Sequence, residues 1–247
     1  MKSVERHRLK ENEFARTVAH AREVASSRQR DIVAVAVAVA VALAAVAGYT
    51  WWRQSRNAKA NTALATALAT YEAPVVPPAA PAPGSPAPLP QPGTFQTEKE
   101  KLDAALPKFI DAATKYPNSD AGIAARYHAA AVLISMGRYS EGEQYFKEVS
   151  DKAGNSIYGR TAKMGLAEAQ IAQGKFEPAI AIYTELSRDT GSQIPLDSVL
   201  IHLGRAYVRA GKKEEAIRAF TRIVEEFPQS VYVTDARREM EEARKPS

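Results

Sequence analysis

The sequence lacks the residues on which much enzyme chemistry depends. Its 247 residues include no cysteine, which excludes disulfide bridges, thiolate metal sites and cysteine nucleophiles. The serines have no His–Asp partners nearby in sequence to activate them, and no phosphate loop with Walker spacing occurs. We therefore predict no catalytic residue, no cofactor and no metal site, and a protein that is not an enzyme.

The sequence also lacks a surplus of basic residues in its long C-terminal part. Residues 94–247 contain 22 Lys or Arg and 22 Asp or Glu, so their formal charges cancel. The excess positive charge lies in residues 1–30, with eight basic and four acidic side chains, and at Arg53, Arg56 and Lys59. Both places flank an apolar segment, which indicates a membrane anchor rather than a nucleic-acid-binding surface.

The apolar segment, residues 32–52, contains 21 residues without a charge. A helix of that length spans about 31 Å, enough to cross the hydrocarbon core of a bilayer. Its Val-Ala alternation would favour a strand in water, but an isolated strand in lipid leaves its backbone groups unpaired. We predict a transmembrane helix that ends in an aromatic belt formed by Tyr49, Trp51 and Trp52.

The surplus of basic residues before the apolar segment predicts the orientation in the membrane. It places residues 1–31 in the cytoplasm and the rest of the chain on the outer side, which in a bacterium is the periplasmic side of the inner membrane. Ala45-Val46-Ala47 before Gly48 also resembles a signal-peptide cleavage site, so cleavage after Ala47 stays open. The long charged lead-in and the long apolar run favour an uncleaved anchor.

Two segments separate the apolar run from the C-terminal part. Residues 53–72 are predicted to form a juxtamembrane helix, and residues 73–94 a Pro-rich linker, with nine of the 15 prolines between Pro74 and Pro92. Extended as polyproline II, such a linker would reach roughly 60 Å. It predicts a semi-rigid spacer between the membrane and a domain at 95–247. Whether residues 53–93 fold back onto that domain stays open.

Glycines recur every 37 residues in the C-terminal part, at Gly137, Gly174 and Gly211. Each separates two helical patterns, and each is expected to adopt the left-handed conformation that ends a helix. Small residues stand seven positions before each glycine and aromatic residues nine positions after it. We predict one helix at about 98–116, three helix pairs and a closing helix, at 120–136 with 139–152, 156–173 with 176–189, 195–210 with 213–226, and 231–243.

The last repeat resembles the tetratricopeptide repeat (TPR) superfamily. The resemblance depends on Gly204, Tyr207, Gly211, Ala216, Phe220 and Pro228, whose spacing is that of the TPR consensus. It implies an all-α fold, with one transmembrane helix followed by a TPR-like solenoid of about three and a half helix pairs. Because histidines 128 and 202 would then lie two repeats apart, far beyond the ~2 Å bonds of zinc, we expect them to be packing residues.

In TPR proteins the first helix of each pair lines a groove that binds other proteins. Counting ten, six and three residues back from each glycine selects the candidate groove residues: Tyr127, Ala131, Ile134, Met164, Glu168, Ile171, Ile201, Arg205 and Val208.

The overall layout resembles the YfgM-type ancillary subunits of the SecYEG translocon. It shares with them a basic N-terminal segment, one membrane helix ending in Trp51-Trp52-Arg53, and TPR-like repeats beyond it. That resemblance implies a periplasmic scaffold whose partners are the translocon, envelope chaperones or secreted chains, with neither nucleic acid nor a small-molecule substrate. The alternative is a coordinator of envelope assembly or division that engages outer-membrane or peptidoglycan machinery, which a long spacer would favour.

Overall fold

The computed structural model describes residues 29–78, 91–189, 191 and 193–245, and helices dominate these ranges. Most of the predicted cytoplasmic segment (residues 1–28) and the middle of the Pro-rich segment (residues 79–90) lie outside the described residues. The helices are α1 Gln29–Tyr71, α2 Glu98–Lys115, α3 Asp120–Ser135, α4 Tyr139–Ala153, α5 Ile157–Ala172, α6 Phe176–Arg188, α7 Leu196–Arg209, α8 Lys213–Glu226 and α9 Val233–Arg244.

The chain divides into two compact units, one ending at Arg56 and the other beginning at Asn57. The first unit consists, among the described residues, of the N-terminal part of α1. Its valines and alanines are helical, as expected for lipid rather than water, and their side chains are exposed. The helix is long and apolar enough to cross a membrane.

The second unit begins with the C-terminal part of α1, which packs against α2. Ala60 and Ala67 are fully buried, and Ala67 lies in one core cluster with Leu102, Ala105 and other α2 residues. At the end of α1, the Lys108 Nζ donates a 2.7 Å hydrogen bond to the hydroxyl of Thr70. These residues of α1 therefore supply the helix that α2 needs as its antiparallel partner.

The two ends of the Pro-rich segment lie side by side. The Val76 amide donates to the Phe95 carbonyl at 2.8 Å, and the Phe95 amide donates to the Pro74 carbonyl at 3.1 Å. A segment whose ends meet does not hold two domains about 60 Å apart, so the expected spacer is not supported. The segment instead connects two helices, α1 and α2, that already pack on each other.

The helix starts follow from capping residues in the sequence. Thr97, Ser119 and Ser156 each precede a helix and accept a hydrogen bond from a backbone amide in its first turn. Pro107 lies inside α2, yet α2 begins at Glu98 and continues through it. Pro107 is exposed, so water can hydrate the carbonyl that its missing N–H leaves unpaired.

The turns within the three helix pairs share one glycine geometry. Gly137, Gly174 and Gly211 have φ of 76°, 75° and 75°, which confirms the expected left-handed conformation. The next residue then folds back, as when the Arg138 amide donates to the Leu133 carbonyl at 2.8 Å. Each glycine therefore sets the angle at which the second helix of a pair leaves the first.

Four buried aromatic residues stand 37 positions apart, one on each of α2, α4, α6 and α8. They are Phe109, Phe146, Tyr183 and Phe220, and none is more than 4% exposed. Phe109 stacks on His128 of the next first helix at 5.3 Å between ring centroids, and Tyr183 stacks on His202 at 5.8 Å.

Phe146 and Phe220 each meet a glycine, which is Gly165 of the next layer for Phe146 and Gly204 of the same helix pair for Phe220. A Cβ built on Gly165 would lie 2.5 Å from the Phe146 ring, and one on Gly204 would lie 2.3 Å from the Phe220 ring. Both distances are too short for a methyl group. Glycine at these positions therefore lets the two rings sit directly against a helix backbone.

The last helix, α9, closes the array by packing on α8. Ala236 and Ala243 are its buried residues, while Arg237, Arg238 and Glu241 are exposed. A polar outer face of this kind suits a terminal helix of a stacked array.

Substitution of Gly204 tests the close helix packing. The Gly204→Ala variant should lower the free energy of unfolding by about 1–3 kcal/mol, because the added methyl group would lie 2.3 Å from the buried Phe220 ring. Urea unfolding followed by circular dichroism measures the change. Gly191→Ala is the control, since its Cβ would meet nothing closer than 3.7 Å, and equal effects of the two substitutions would contradict the packing described.

Candidate protein-binding groove

The first helices of the three pairs, α3, α5 and α7, line one face of the second unit. The candidate residues on this face differ in how accessible they are. Glu168 and Val208 are exposed, and Ile201 is fully buried. The remaining six are half-buried: Tyr127, Ala131, Ile134, Met164, Ile171 and Arg205.

The α3 end of this face is aromatic. The Tyr127 ring lies 5.4 Å from Phe146, 5.7 Å from His128 and 6.1 Å from Tyr158, in edge-to-face arrangements. Tyr158, at the start of α5, is 37% exposed. Burial raises the pKa of Tyr127, and the charge of Glu168 raises it further, so its hydroxyl stays neutral. This end therefore offers a partly open, uncharged surface.

Ile201 does not belong to the accessible face. It has no exposed surface and joins the core cluster of α5 to α9 that contains Val199, Leu200 and Ala236. Its place, ten residues before Gly211, was expected to face the groove. The structure places it in the core instead, so it cannot contact a partner without unfolding.

The α7 end of the face is charged and internally paired. The guanidinium of Arg205 donates to Glu239 of α9 at 2.6 and 2.9 Å and to Asp235 at 3.3 Å. The hydrogen bond with Glu239 raises the pKa of Arg205, which stays charged. Nearby, Glu168 Oε1 lies 3.6 Å from Nδ1 of His202. Arg205 thus holds the last helix in place as well as lining the face.

Two recesses open on this charged end. The first, of about 290 Å³, lies between α5 and α7. It is lined by Glu168, Ile171, Ala172, Tyr183, His202, Arg205 and Arg209. The second, of about 430 Å³, lies beside α9 and includes Val208, Lys213 and Glu239. Four of the candidate residues, Glu168, Ile171, Arg205 and Val208, therefore line actual recesses.

Sequence reasoning missed several residues at this end. Arg209 and Ala172 each stand two positions before a glycine. The candidate residues were selected only at ten, six and three positions before each glycine, so these two were not included. Arg209 is exposed and has no ionic partner among the described residues, unlike Arg205. Glu239 was missed because α9 was interpreted only as a closing helix.

The two histidines at equivalent repeat positions pack separately. His128 stacks on Phe109 and His202 on Tyr183, each against the aromatic residue of the preceding second helix. Burial lowers the pKa of both, opposed by the charge of Glu72 at His128 and of Glu168 at His202. Within the part of the chain that the structure describes, no group of three or more potential ligands is placed to hold a metal ion.

Tyr183 carries the one hydroxyl in the row of four stacking aromatic residues. Its side chain has no exposed surface, and its hydroxyl has no hydrogen-bond partner among the described residues. Burial raises the pKa of this phenol well above its usual range. A buried hydroxyl without a partner lowers the stability of the fold. The other three positions hold phenylalanine and therefore avoid this cost.

A protein-family model for the tetratricopeptide repeat-like domain matches residues 29–240. The chain belongs to this family. The match includes α1 as well as the helix pairs, so the long apolar helix and the TPR-like array lie within one family domain.

The TPR-like domain is also similar to solved structures. TPR-like repeats of a kinesin light chain from Podosopora anserina superpose with a TM-score of 0.52 at 13% identity, covering 59% of this chain and 79% of that one. A tetratricopeptide repeat protein from Parabacteroides merdae gives a TM-score of 0.49 at 18% identity, covering 60% of this chain and 55% of that one. At this identity the first likeness shows the fold alone. None of the curated proteins matches the chain.

Removal of the unpaired hydroxyl should stabilise the TPR-like domain. Tyr183→Phe is expected to raise the free energy of unfolding by about 1 kcal/mol, because it removes a buried polar group that has no partner among the described residues. The reverse change at the equivalent position, Phe220→Tyr, should lower it by about 1–3 kcal/mol. Urea unfolding measures both, and destabilisation by Tyr183→Phe would show that the hydroxyl is satisfied after all.

Proposed function

We propose that this TPR-like protein is a membrane-anchored adaptor that binds segments of other proteins along the face lined by α3, α5 and α7. The observation that carries the proposal is the asymmetry of that face. Tyr127 and Tyr158 form an aromatic surface at one end, while Arg209, Glu168 and Val208 stay exposed at the other. A surface with apolar anchors and separate polar groups suits recognition of a peptide segment.

The anchor in this proposal is the N-terminal part of α1, at residues 32–52. The side chains of residues 33–52 are exposed in the structure, and a helix with so long an apolar surface needs lipid or another apolar partner around it. The inclusion of this helix in the family match supports an anchor as a regular part of the domain. We propose that the binding domain itself starts at about residue 57, before the Pro-rich segment, since that part of α1 packs on α2.

The same proposal places residues 1–31 in the cytoplasm and the TPR-like domain on the periplasmic side of a bacterial inner membrane, from the distribution of basic residues. The resemblance in layout to YfgM-type subunits supports partners at the Sec translocon: the translocon itself, envelope chaperones or emerging secreted chains. Tethering beside the membrane raises the effective concentration of a weak binding surface for such partners.

The rival function, a coordinator that reaches across the envelope, was favoured by the Pro-rich spacer. The paired ends of that segment remove this support, because Pro74 and Phe95 are neighbours. We also infer that the groove binds rather than catalyses. Arg205, which lines it, is held by an ion pair with Glu239.

Site-specific photo-crosslinking in membranes of the source organism tests the binding face. A photoreactive amino acid at Val208 or at Glu168 should capture partner proteins, because both positions are exposed on the face. The same amino acid at Lys147, exposed on the second helix α4, is the matched control and should capture far less.

A second substitution makes the test quantitative. Tyr158→Ala removes an exposed ring from the aromatic end and should reduce crosslinking from Val208 by about tenfold, as expected for loss of an aromatic anchor. Equal capture from Val208 and Lys147 would contradict the assigned face. Capture of translocon or chaperone subunits would support the specific role, and capture of division or outer-membrane proteins would contradict it.

A further inference from the structure

Four side chains at the end of the apolar run share one face of α1. They are Tyr49, Trp52, Arg53 and Arg56, at positions i, i+3, i+4 and i+7 of a continuous helix. At 100° per residue these positions fall within an arc of about 100°. Trp51 and Gln54 stand on the other side of the helix. Two aromatic rings and two guanidinium groups therefore occur together on a single face.

Contacts within this face hold the groups together. The rings of Tyr49 and Trp52 lie 6.1 Å apart. The guanidinium carbon of Arg56 lies 5.2 Å from the Trp52 ring centroid, a cation–π contact. All four side chains are nevertheless exposed, with Trp52 at 50% and Tyr49 at 59%. Contacts between neighbouring side chains therefore order this face, yet no other element of the described chain buries it.

The charge of this face is not neutralised by its own helix. No Asp or Glu occurs between Asp31 and Glu72, so α1 carries no carboxylate within about five turns of Arg53 on either side. Arg53 has no ion pair among the described residues. Two arginines that follow an apolar run directly lie where a helix leaves the hydrocarbon for the headgroup layer.

We propose that this face binds the phosphate of an anionic phospholipid. Guanidinium groups bind phosphate oxygens in bidentate geometry, and indole and phenol rings settle at the headgroup level with the apolar ring against lipid chains. The cation–π contact holds Arg56 beside Trp52, so phosphate binding and ring insertion occur at the same depth. The proposal rests on the membrane anchoring proposed above.

The full-length protein reconstituted into phosphatidylcholine vesicles that contain phosphatidylglycerol provides the test. Trp51 and Trp52 are the only tryptophans, so their fluorescence reports this level of the helix. Brominated lipid quenches tryptophan on contact. Brominated phosphatidylglycerol should quench at least about threefold more, per mole of lipid, than brominated phosphatidylcholine in the same mixture.

Two variants separate a specific face from general positive charge. Arg53→Gln with Arg56→Gln should abolish the preference for the anionic lipid. Arg56→Gln with Gln54→Arg keeps the net charge but moves one guanidinium to the opposite side of the helix, about 160° away. The second variant should lose most of the preference, because the relocated guanidinium would lie away from Trp52.

The outcomes distinguish the lipid site from the anchor. Equal quenching by both brominated lipids would show that the helix inserts but does not select the anionic phospholipid, and would overturn the proposed site. A relocated charge that preserves the full preference would show that net charge alone attracts the lipid, and would likewise overturn the site. Absence of quenching by either lipid would overturn the membrane anchor and the site with it.

Discussion

The domain depends on one repeated contact, in which a buried aromatic side chain of α2, α4 and α6 packs against the first helix of the next layer. Phe109 and Tyr183 stack on histidines, and Phe146 lies against the backbone at Gly165. Burial of one such ring stabilises the fold by roughly 1.5–3 kcal/mol. A single repeat cannot bury its apolar face without a neighbouring repeat. The face lined by α3, α5 and α7 exists because these contacts hold the three helices in register.

The same contact explains how the array begins. Tyr71, at the end of α1, lies 6.0 Å from Phe109 in an edge-to-face arrangement, and Ala67 is buried in the same cluster. The helix that carries the proposed anchor therefore also completes the first layer of the TPR-like domain. The Pro-rich segment then connects two packed helices, and its ends pair with each other at Val76 and Phe95.

Local signals made most of the fold predictable. The helices α2 to α9 each begin within two residues of their predicted starts, because capping residues such as Ser119 and turn glycines such as Gly137 act over one or two turns. Packing between distant segments was not predictable in this way. The pairing of α1 with α2 crosses the Pro-rich segment, and nothing in either local pattern indicates it.

The candidate face shows the same division between local and long-range information. Counting from the glycines placed Glu168 and Val208 on an exposed face, since helical periodicity decides which side a residue occupies. It failed for Ile201, which lies in the core, and it did not anticipate that Arg205 pairs with Glu239. The pairing of Arg205 depends on α9, whose position is a property of the assembled array.

Hydrogen exchange of the full-length protein, compared with the Phe109→Ala variant, tests the central contact most directly. The account predicts that residues 60–71 of α1 exchange as slowly as α2 in the wild type, because both belong to one buried layer. In the variant, exchange should accelerate in those residues and in α3, while α8 and α9 keep their rates. Rapid exchange of residues 60–71 in the wild type, or no change in the variant, would contradict it.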